Sequence, residues 1–118
     1  VESLKASGAK VIAVIATNAK LTKAQANKVA QMADDGLARA IRLAHGTGDG
    51  DTVFALATGT ATATPAPSIN ALGSAAADVL SRAIIRAIKA AEPIHIGSGT
   101  SGCNVTSYCE LFPARCGR

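Results

Sequence analysis

Apolar residues in positions 11–92 follow two spacings in turn, one typical of strands and one typical of helices. Residues 11–16 form a continuous apolar run of strand length that is rich in β-branched side chains. Such a run predicts a central strand that is covered on both faces. A second strand is predicted at residues 52–57, after a turn rich in glycine and aspartate.

Two amphipathic helices are predicted to follow these strands. The first begins after Thr22, whose hydroxyl can cap the free amides while Gln25 reaches back, a capping-box pattern. Its apolar face repeats at helical spacing as far as His45, where an imidazole can interact with the terminal carbonyl groups. The second helix is predicted at residues 69–91 and ends before Pro93, because the residue preceding a proline disfavours helical geometry.

The predicted order is therefore strand, helix, strand, helix over residues 11–92, after an N-terminal loop at residues 1–10. Residues 93–118 contain glycine and serine without a clear hydrophobic period, so we expect a flexible tail. All three cysteines lie in this segment, and their spacing matches neither a zinc site nor a C-x-x-C motif. We interpret them as tail cysteines in a reducing compartment, which predicts a cytoplasmic location.

The composition suggests a core of small side chains. The chain has 118 residues, of which 48% are apolar, and much of this fraction is alanine. Small side chains fill space by close backbone approach and often need further layers to cover them. Gly36, inside the first predicted helix, costs about 1 kcal/mol relative to alanine and indicates a closely packed neighbour. We therefore expect an oligomer or a part of a larger assembly.

Charge and hydropathy exclude several classes of partner. The net charge of +4 comes from dispersed residues that are not interleaved with aromatic side chains, so no nucleic-acid partner is expected. No apolar run approaches the roughly 20 residues that span a bilayer, so no membrane partner is expected either. The first residues also lack the pattern of a signal peptide.

Two carboxylates stand at the entry to the second predicted strand. Asp49 and Asp51 are separated by Gly50, and in an extended chain residues two apart point to the same side. The glycine between them leaves room for a close backbone or ligand. Their shared side is a candidate site; the alternative is a solvated turn that only leads the chain into the strand.

Five short motifs occur in order between residues 9 and 91 and together resemble one family. They lie at residues 14–19, 21–26, 35–42, 49–59 and 69–73. The pattern is similar to the autoprocessing L-aminopeptidase/D-esterase and β-aminopeptidase family, and most similar to its nylon-oligomer hydrolase branch. The resemblance implies an α/β fold, in which this β-α-β-α chain is half of a four-layer α-β-β-α sandwich of the N-terminal-nucleophile hydrolase type.

The resemblance also implies an activity and a partner. Members of the family are made as one precursor that cuts itself, and the new N-terminus of the smaller C-terminal piece supplies a serine or threonine nucleophile. This chain resembles that smaller piece. The implied reaction is hydrolysis of small peptides, D-amino-acid esters or amides, or nylon-oligomer amides, without a cofactor or metal. A larger N-terminal subunit would complete the site, homo-oligomers are expected, and without that subunit the sheet should have one uncovered face.

Individual positions can be carried over from the family. Asp49 and Asp51 match two aspartates that support the nucleophile, and carboxylates so placed can orient its hydroxyl or ammonium group. The nucleophile position falls on Lys10, which has no hydroxyl. Ser7 lies roughly 10 Å upstream on an extended chain and could replace it only after a shift of register.

Two hypotheses therefore remain. The chain is either the C-terminal part of an amide hydrolase that is inactive alone, or a non-catalytic α/β module that oligomerises through its alanine-rich helices.

Overall fold

The computed structural model describes residues 11–62, 65–96 and 103–117. In these ranges the chain is a mixed α/β protein, as predicted. It divides into two compact units, and the boundary in the chain lies between Arg82 and Ala83. The elements in chain order are β1 (Ile12–Thr17), α1 (Lys23–Ala40), β2 (Thr52–Ala57), α2 (Ile69–Ala90), β3 (Ile94–Ile96), β4 (Cys103–Val105), α3 (Tyr108–Leu111) and a 3-10 helix (Pro113–Arg115). The predicted N-terminal loop lies outside the described residues.

The first unit contains a parallel pair of strands. β1 and β2 align without a bulge, from Ile12 opposite Thr52 to Thr17 opposite Ala57. The amide of Thr52 also donates to the Val11 carbonyl oxygen at 2.9 Å, so pairing extends to the residue before β1. Because the strands are parallel, the residues that precede them lie at the same edge of the sheet. This arrangement brings the entry to β1 beside the entry to β2.

One face of this sheet is apolar and exposed. Ile15 on the inner face is 9% exposed, whereas four large side chains on the other face are between 56% and 77% exposed. We call this surface the open apolar face; its members are Ile12, Val14, Phe54 and Leu56. The prediction that the first strand is covered on both faces is therefore wrong for this chain, because the described residues bury only the inner one.

Helix α1 begins as predicted and ends earlier. The Gln25 amide donates to Thr22 Oγ1 at 3.2 Å, and the Thr22 amide donates to Gln25 Oε1 at 2.9 Å, which completes the capping box. The helix stops at Ala40, five residues before the predicted end. Leu43 (φ 63°) and His45 (φ 64°) have left-handed backbone conformations that an α-helix cannot contain. His45 is therefore in a loop, and its predicted position at the helix end is wrong.

Helices α1 and α2 approach closely through small residues. A Cβ atom added to Gly36 would lie 2.5 Å from the Ala77 carbonyl oxygen and 3.0 Å from the Leu80 Cβ atom. These distances leave no room for a side chain, which confirms the close neighbour predicted for this glycine. Val29 and Leu37 are almost fully buried, and the other buried core residues are mainly alanines.

The second unit has secondary structure that the sequence pattern does not predict. Strands β3 and β4 pair antiparallel, with Ile94 opposite Val105 and Ile96 opposite Cys103. A disulfide joins Cys109 to Cys116, a pairing that the cysteine spacing does not predict. Disulfides are typical of oxidising environments, which weakens the cytoplasmic prediction because that prediction rests on cysteine usage. Among the described residues, no helix has the length and apolarity needed to cross a membrane.

Candidate active site

The Asp51 carboxylate is bound to the backbone at the start of β1. Its Oδ1 atom accepts a hydrogen bond of 2.8 Å from the Val11 amide, and the contact is partly buried. The parallel register accounts for this contact, since Ile12 opposite Thr52 sets Val11 beside Asp51. A hydrogen bond to an ionised acceptor is stronger than one between neutral groups. Asp51 thus fixes the backbone at the point where the chain enters the sheet.

The Asp49 carboxylate has a different partner. Its Oδ2 atom accepts from the Gly46 amide at 2.5 Å, and its own amide donates to the Gly46 carbonyl oxygen at 2.9 Å. A Cβ atom added to Gly46 would lie 3.0 Å from Asp49 Oδ2, so the turn is tight. Asp49 therefore closes the turn that precedes β2, which is the alternative role considered for this segment. The described contacts bring only Asp51 to the start of β1.

The predicted nucleophile position is adjacent to the Asp51 contact along the chain. Lys10 and Ser7 lie outside the described residues. The nitrogen that Asp51 binds, however, belongs to the peptide bond between Lys10 and Val11. The carboxylate is therefore bound to the peptide group immediately after position 10.

His45 lies in the same loop and contacts a carboxylate, whereas the sequence predicts an interaction with the terminal carbonyl groups of the helix. Its Nδ1 atom is 3.7 Å from Asp34 Oδ2, and the two side chains are 45% and 38% exposed. Asp34 belongs to α1, so this contact links the loop before β2 to the helix. Exposed pairs of this kind contribute little, roughly 0 to 1 kcal/mol. Sequence spacing alone gives no signal for it, because the loop must fold back by way of two left-handed residues.

A shallow cleft lies at the opposite end of the two strands. It has a volume of about 280 Å³ and is lined by the segments that follow β1 and β2, including Lys20, Leu21, Pro67 and Ile69. The candidate site at Asp51 is at the entry ends of the same strands, so the two are separate. The described residues contain no group of three or more His, Cys, Asp or Glu side chains placed to hold a metal ion.

Comparison with known proteins identifies the family to which the chain belongs. Residues 2–101 match peptidase family S58. An uncharacterized aminopeptidase of Mycobacterium leprae is 42% identical over 117 residues, which cover 90% of this chain and 30% of that protein. Uncharacterized aminopeptidases of Mycobacterium bovis and Mycobacterium tuberculosis are 38% identical over 117 residues, which cover 90% of this chain and 32% of those proteins. This chain thus spans about 30% of the length of the relatives that it matches. Because the match covers most of its residues, the chain belongs to peptidase family S58.

Proposed function

We propose that the chain is the C-terminal, small-subunit-like part of an autoprocessing amide hydrolase or aminopeptidase. Its substrates would be small peptides, D-amino-acid esters or amides, or nylon-oligomer amides, as in the branch that the sequence resembles. The observation that carries this proposal is the hydrogen bond from the Val11 amide to Asp51, within a chain of peptidase family S58. The relatives are named as aminopeptidases, which supports the same class of reaction.

The chemistry at position 10 would be nucleophilic. In the family mechanism a hydroxyl attacks the substrate carbonyl, while the α-amine of the same residue serves as base. Both groups belong to one residue, so the direction of its backbone decides whether they align with the substrate. Asp51 would restrict that direction through the next amide, at 2.8 Å. Asp51 is therefore a positioning residue in this proposal, and Asp49 supports it by closing the preceding turn.

The identity of residue 10 sets the expected activity. Lysine has no hydroxyl, and its ammonium group is a donor without a lone pair for attack at neutral pH. The chain would therefore be inactive alone. The groups that stabilise the tetrahedral intermediate, and the walls that select the substrate, would belong to a larger subunit. Such a donor set is commonly worth several kcal/mol of the barrier, so its absence alone would abolish useful turnover.

The open apolar face supports a larger partner. Four large apolar side chains on one side of a sheet are exposed to water in this chain. A sheet with one apolar face is stable when a second layer covers it. This chain spans about 30% of the length of its relatives, which leaves a longer segment in those proteins to supply that layer. The partner would complete the four-layer sandwich.

The alternative is a non-catalytic α/β module that self-associates. Val79, on the first unit's part of α2, is 50% exposed, and the open apolar face is also available for such contacts. In this case the chain would form oligomers without a family partner, and position 10 would not matter. The two proposals differ in the response to a hydroxyl at that position.

A test restores the nucleophile in the presence of a partner. The Lys10→Thr chain and the native sequence, both without residues 1–9 so that residue 10 carries a free α-amine, are each mixed with the large subunit of an active family member. Hydrolysis is measured as amine release from β-peptide and aminohexanoate-oligomer substrates, and as alcohol release from a D-amino-acid ester. The proposal predicts turnover with Lys10→Thr and none with the native chain. Lys20→Thr is the matched control, because it makes the same substitution at the other end of β1 and should remain inactive.

A second variant separates positioning from catalysis. In the Lys10→Thr background, Asp51→Asn should lower kcat by roughly tenfold to a hundredfold and leave KM nearly unchanged, since it loosens the nucleophile and not the substrate walls. No turnover of any substrate by Lys10→Thr, in a complex that gel filtration shows to have formed, would favour the non-catalytic module.

A further inference from the structure

The C-terminal end of the chain contains a closed element that the family match does not include. The match ends at residue 101, whereas β4, α3 and the 3-10 helix lie at residues 103–115. The Cys109–Cys116 disulfide closes a loop that contains the 3-10 helix and most of α3, with a sequence separation of 7. We call residues 107–117 the disulfide loop. Its structure is independent of the proposed catalytic role.

One end of the disulfide contacts helix α2. Cys109 Sγ lies 3.1 Å from the carbonyl oxygen of Lys89, in the last turn of that helix. A carbonyl in the last turn has no partner within the helix. A disulfide sulfur carries no proton, so in the oxidised state this contact is not a hydrogen bond. After reduction the Cys109 thiol can donate to the same oxygen, although a thiol is a weak donor.

Polar contacts hold the other side of the loop, and they do not depend on the disulfide. His95 Nδ1 contacts Asn104 Oδ1, and His95 Nε2 is 3.7 Å from Glu110 Oε1. Ser107 is buried, and its Oγ atom accepts from the Glu110 amide at 3.3 Å. The start of α3 is thus tied to the β3–β4 hairpin, while its far end and the 3-10 helix are tied together by the disulfide.

We propose that the Cys109–Cys116 bond is a redox-responsive clamp on the disulfide loop. A dithiol reductant opens it by two exchange steps. One thiolate of the dithiol attacks a protein sulfur and forms a mixed disulfide, and the second thiolate then displaces it. The protein S–S bond is broken, the dithiol becomes a cyclic disulfide, and its two protons end on Cys109 and Cys116. The loop then opens from its C-terminal side.

Two effects of opposite sign determine the size of the response. Releasing a closed loop of this length favours the open state by roughly 60-fold in the chain-entropy relation. The new hydrogen bond from the Cys109 thiol to Lys89 favours the closed state by about fivefold, the range of a weak neutral bond. The loss of closure is the larger effect. Reduction should therefore raise the open population of the disulfide loop about tenfold.

Amide hydrogen exchange of the full chain tests the clamp. The reporters are three amides toward the C-terminal side of the disulfide loop, those of Phe112, Arg115 and Cys116, whose hydrogen bonds lie within the loop. Their exchange should become about tenfold faster with dithiothreitol. The Ala26 amide, bonded to the Thr22 carbonyl in α1 at 2.9 Å, is the control and should not change.

A double cysteine variant and a thiol count complete the test. The double variant Cys109→Ser, Cys116→Ser should exchange as the reduced protein does and should not respond to dithiothreitol. A thiol count should give one alkylated cysteine before reduction and three after it, with Cys109 and Cys116 in one disulfide-linked peptide pair. Equal exchange of these three amides in the oxidised and reduced protein overturns the clamp, as does a peptide map in which Cys103 takes part in the disulfide.

Discussion

Removal of the Asp51 carboxylate should release the start of β1 and leave the rest of the sheet in place. The Asp51→Ala variant leaves the Val11 amide without its partner, which is 2.8 Å away in the native chain. Hydrogen bonds to charged groups contribute roughly 1.5 to 3 kcal/mol, and this one is only partly buried, so the lower value applies. A loss of about 1.5 kcal/mol corresponds to a tenfold larger open population at this amide.

The assay is hydrogen exchange at single amides. In Asp51→Ala the Val11 amide should exchange about tenfold faster, and in Asp51→Asn about threefold faster, because an amide oxygen still accepts but lacks the charge. The Thr52 amide, which donates to the Val11 carbonyl, should change less. The neighbouring carboxylate supplies a matched control, since Asp49→Ala should release the Gly46 amide and not that of Val11.

Two results would contradict this role of Asp51. Unchanged exchange of Val11 in Asp51→Ala would show that the carboxylate does not hold this backbone in solution. Faster exchange of Val11 in Asp49→Ala would show that the turn, and not Asp51, fixes the entry to β1. Either result removes the structural basis for treating Asp51 as the positioning residue.

Three further predictions concern stability and assembly. Gly36→Ala should lower the free energy of unfolding by about 1 to 2 kcal/mol in urea titrations, because the cost of overpacking against Ala77 exceeds the gain in helix propensity. A more stable variant would contradict the close helix contact. Thr22→Ala should cost about 1 kcal/mol in the same titration, since it removes the cap of α1, and an unchanged midpoint would argue against the capping box. Phe54→Lys should reduce the apparent mass of the isolated chain in light scattering. Leu43→Lys, at a residue that is also exposed (71% against 56%) but lies off the sheet, should not. Equal masses for both variants would mean that the open apolar face does not drive association.

Much of the first unit follows from the sequence because its signals are local. β2 occupies the predicted residues 52–57, β1 is shifted by one residue, and the capping box sets the start of α1. The end of α1 does not follow from the apolar pattern, which continues beyond Ala40. Ile41 is extended and two later residues are left-handed, and the sequence has no glycine or proline between residues 40 and 45 to mark this change of path.

The secondary structure of the second unit could not be predicted from local sequence patterns, for a different reason. Strands of three residues and a helix of four are too short to show a period. Their partners are nearby but not adjacent in sequence: β3 pairs with β4 across residues 97–102, and His95 contacts Asn104 and Glu110. Cysteine count alone cannot give a pairing either, since an odd number always leaves one residue over.

The candidate site was predictable only in part. Parallel pairing after a helical connection places the entries of both strands at one edge, so proximity of Asp51 to the start of β1 follows from topology. The distinction between Asp49 and Asp51 does not. It depends on a tight turn in which the Gly46 amide reaches the first carboxylate, and that geometry appears only once the loop is folded.

The position of the Asp51 contact has a consequence for maturation. The bound nitrogen lies on the carboxyl side of residue 10, whereas the proposed self-cleavage cuts on its amino side. The hydrogen bond between Asp51 and the Val11 amide would therefore be kept after the cleavage. A newly formed chain terminus would then lie one residue from this hydrogen bond. The same aspartate could thus serve the uncut precursor and the finished enzyme with no rearrangement of the sheet.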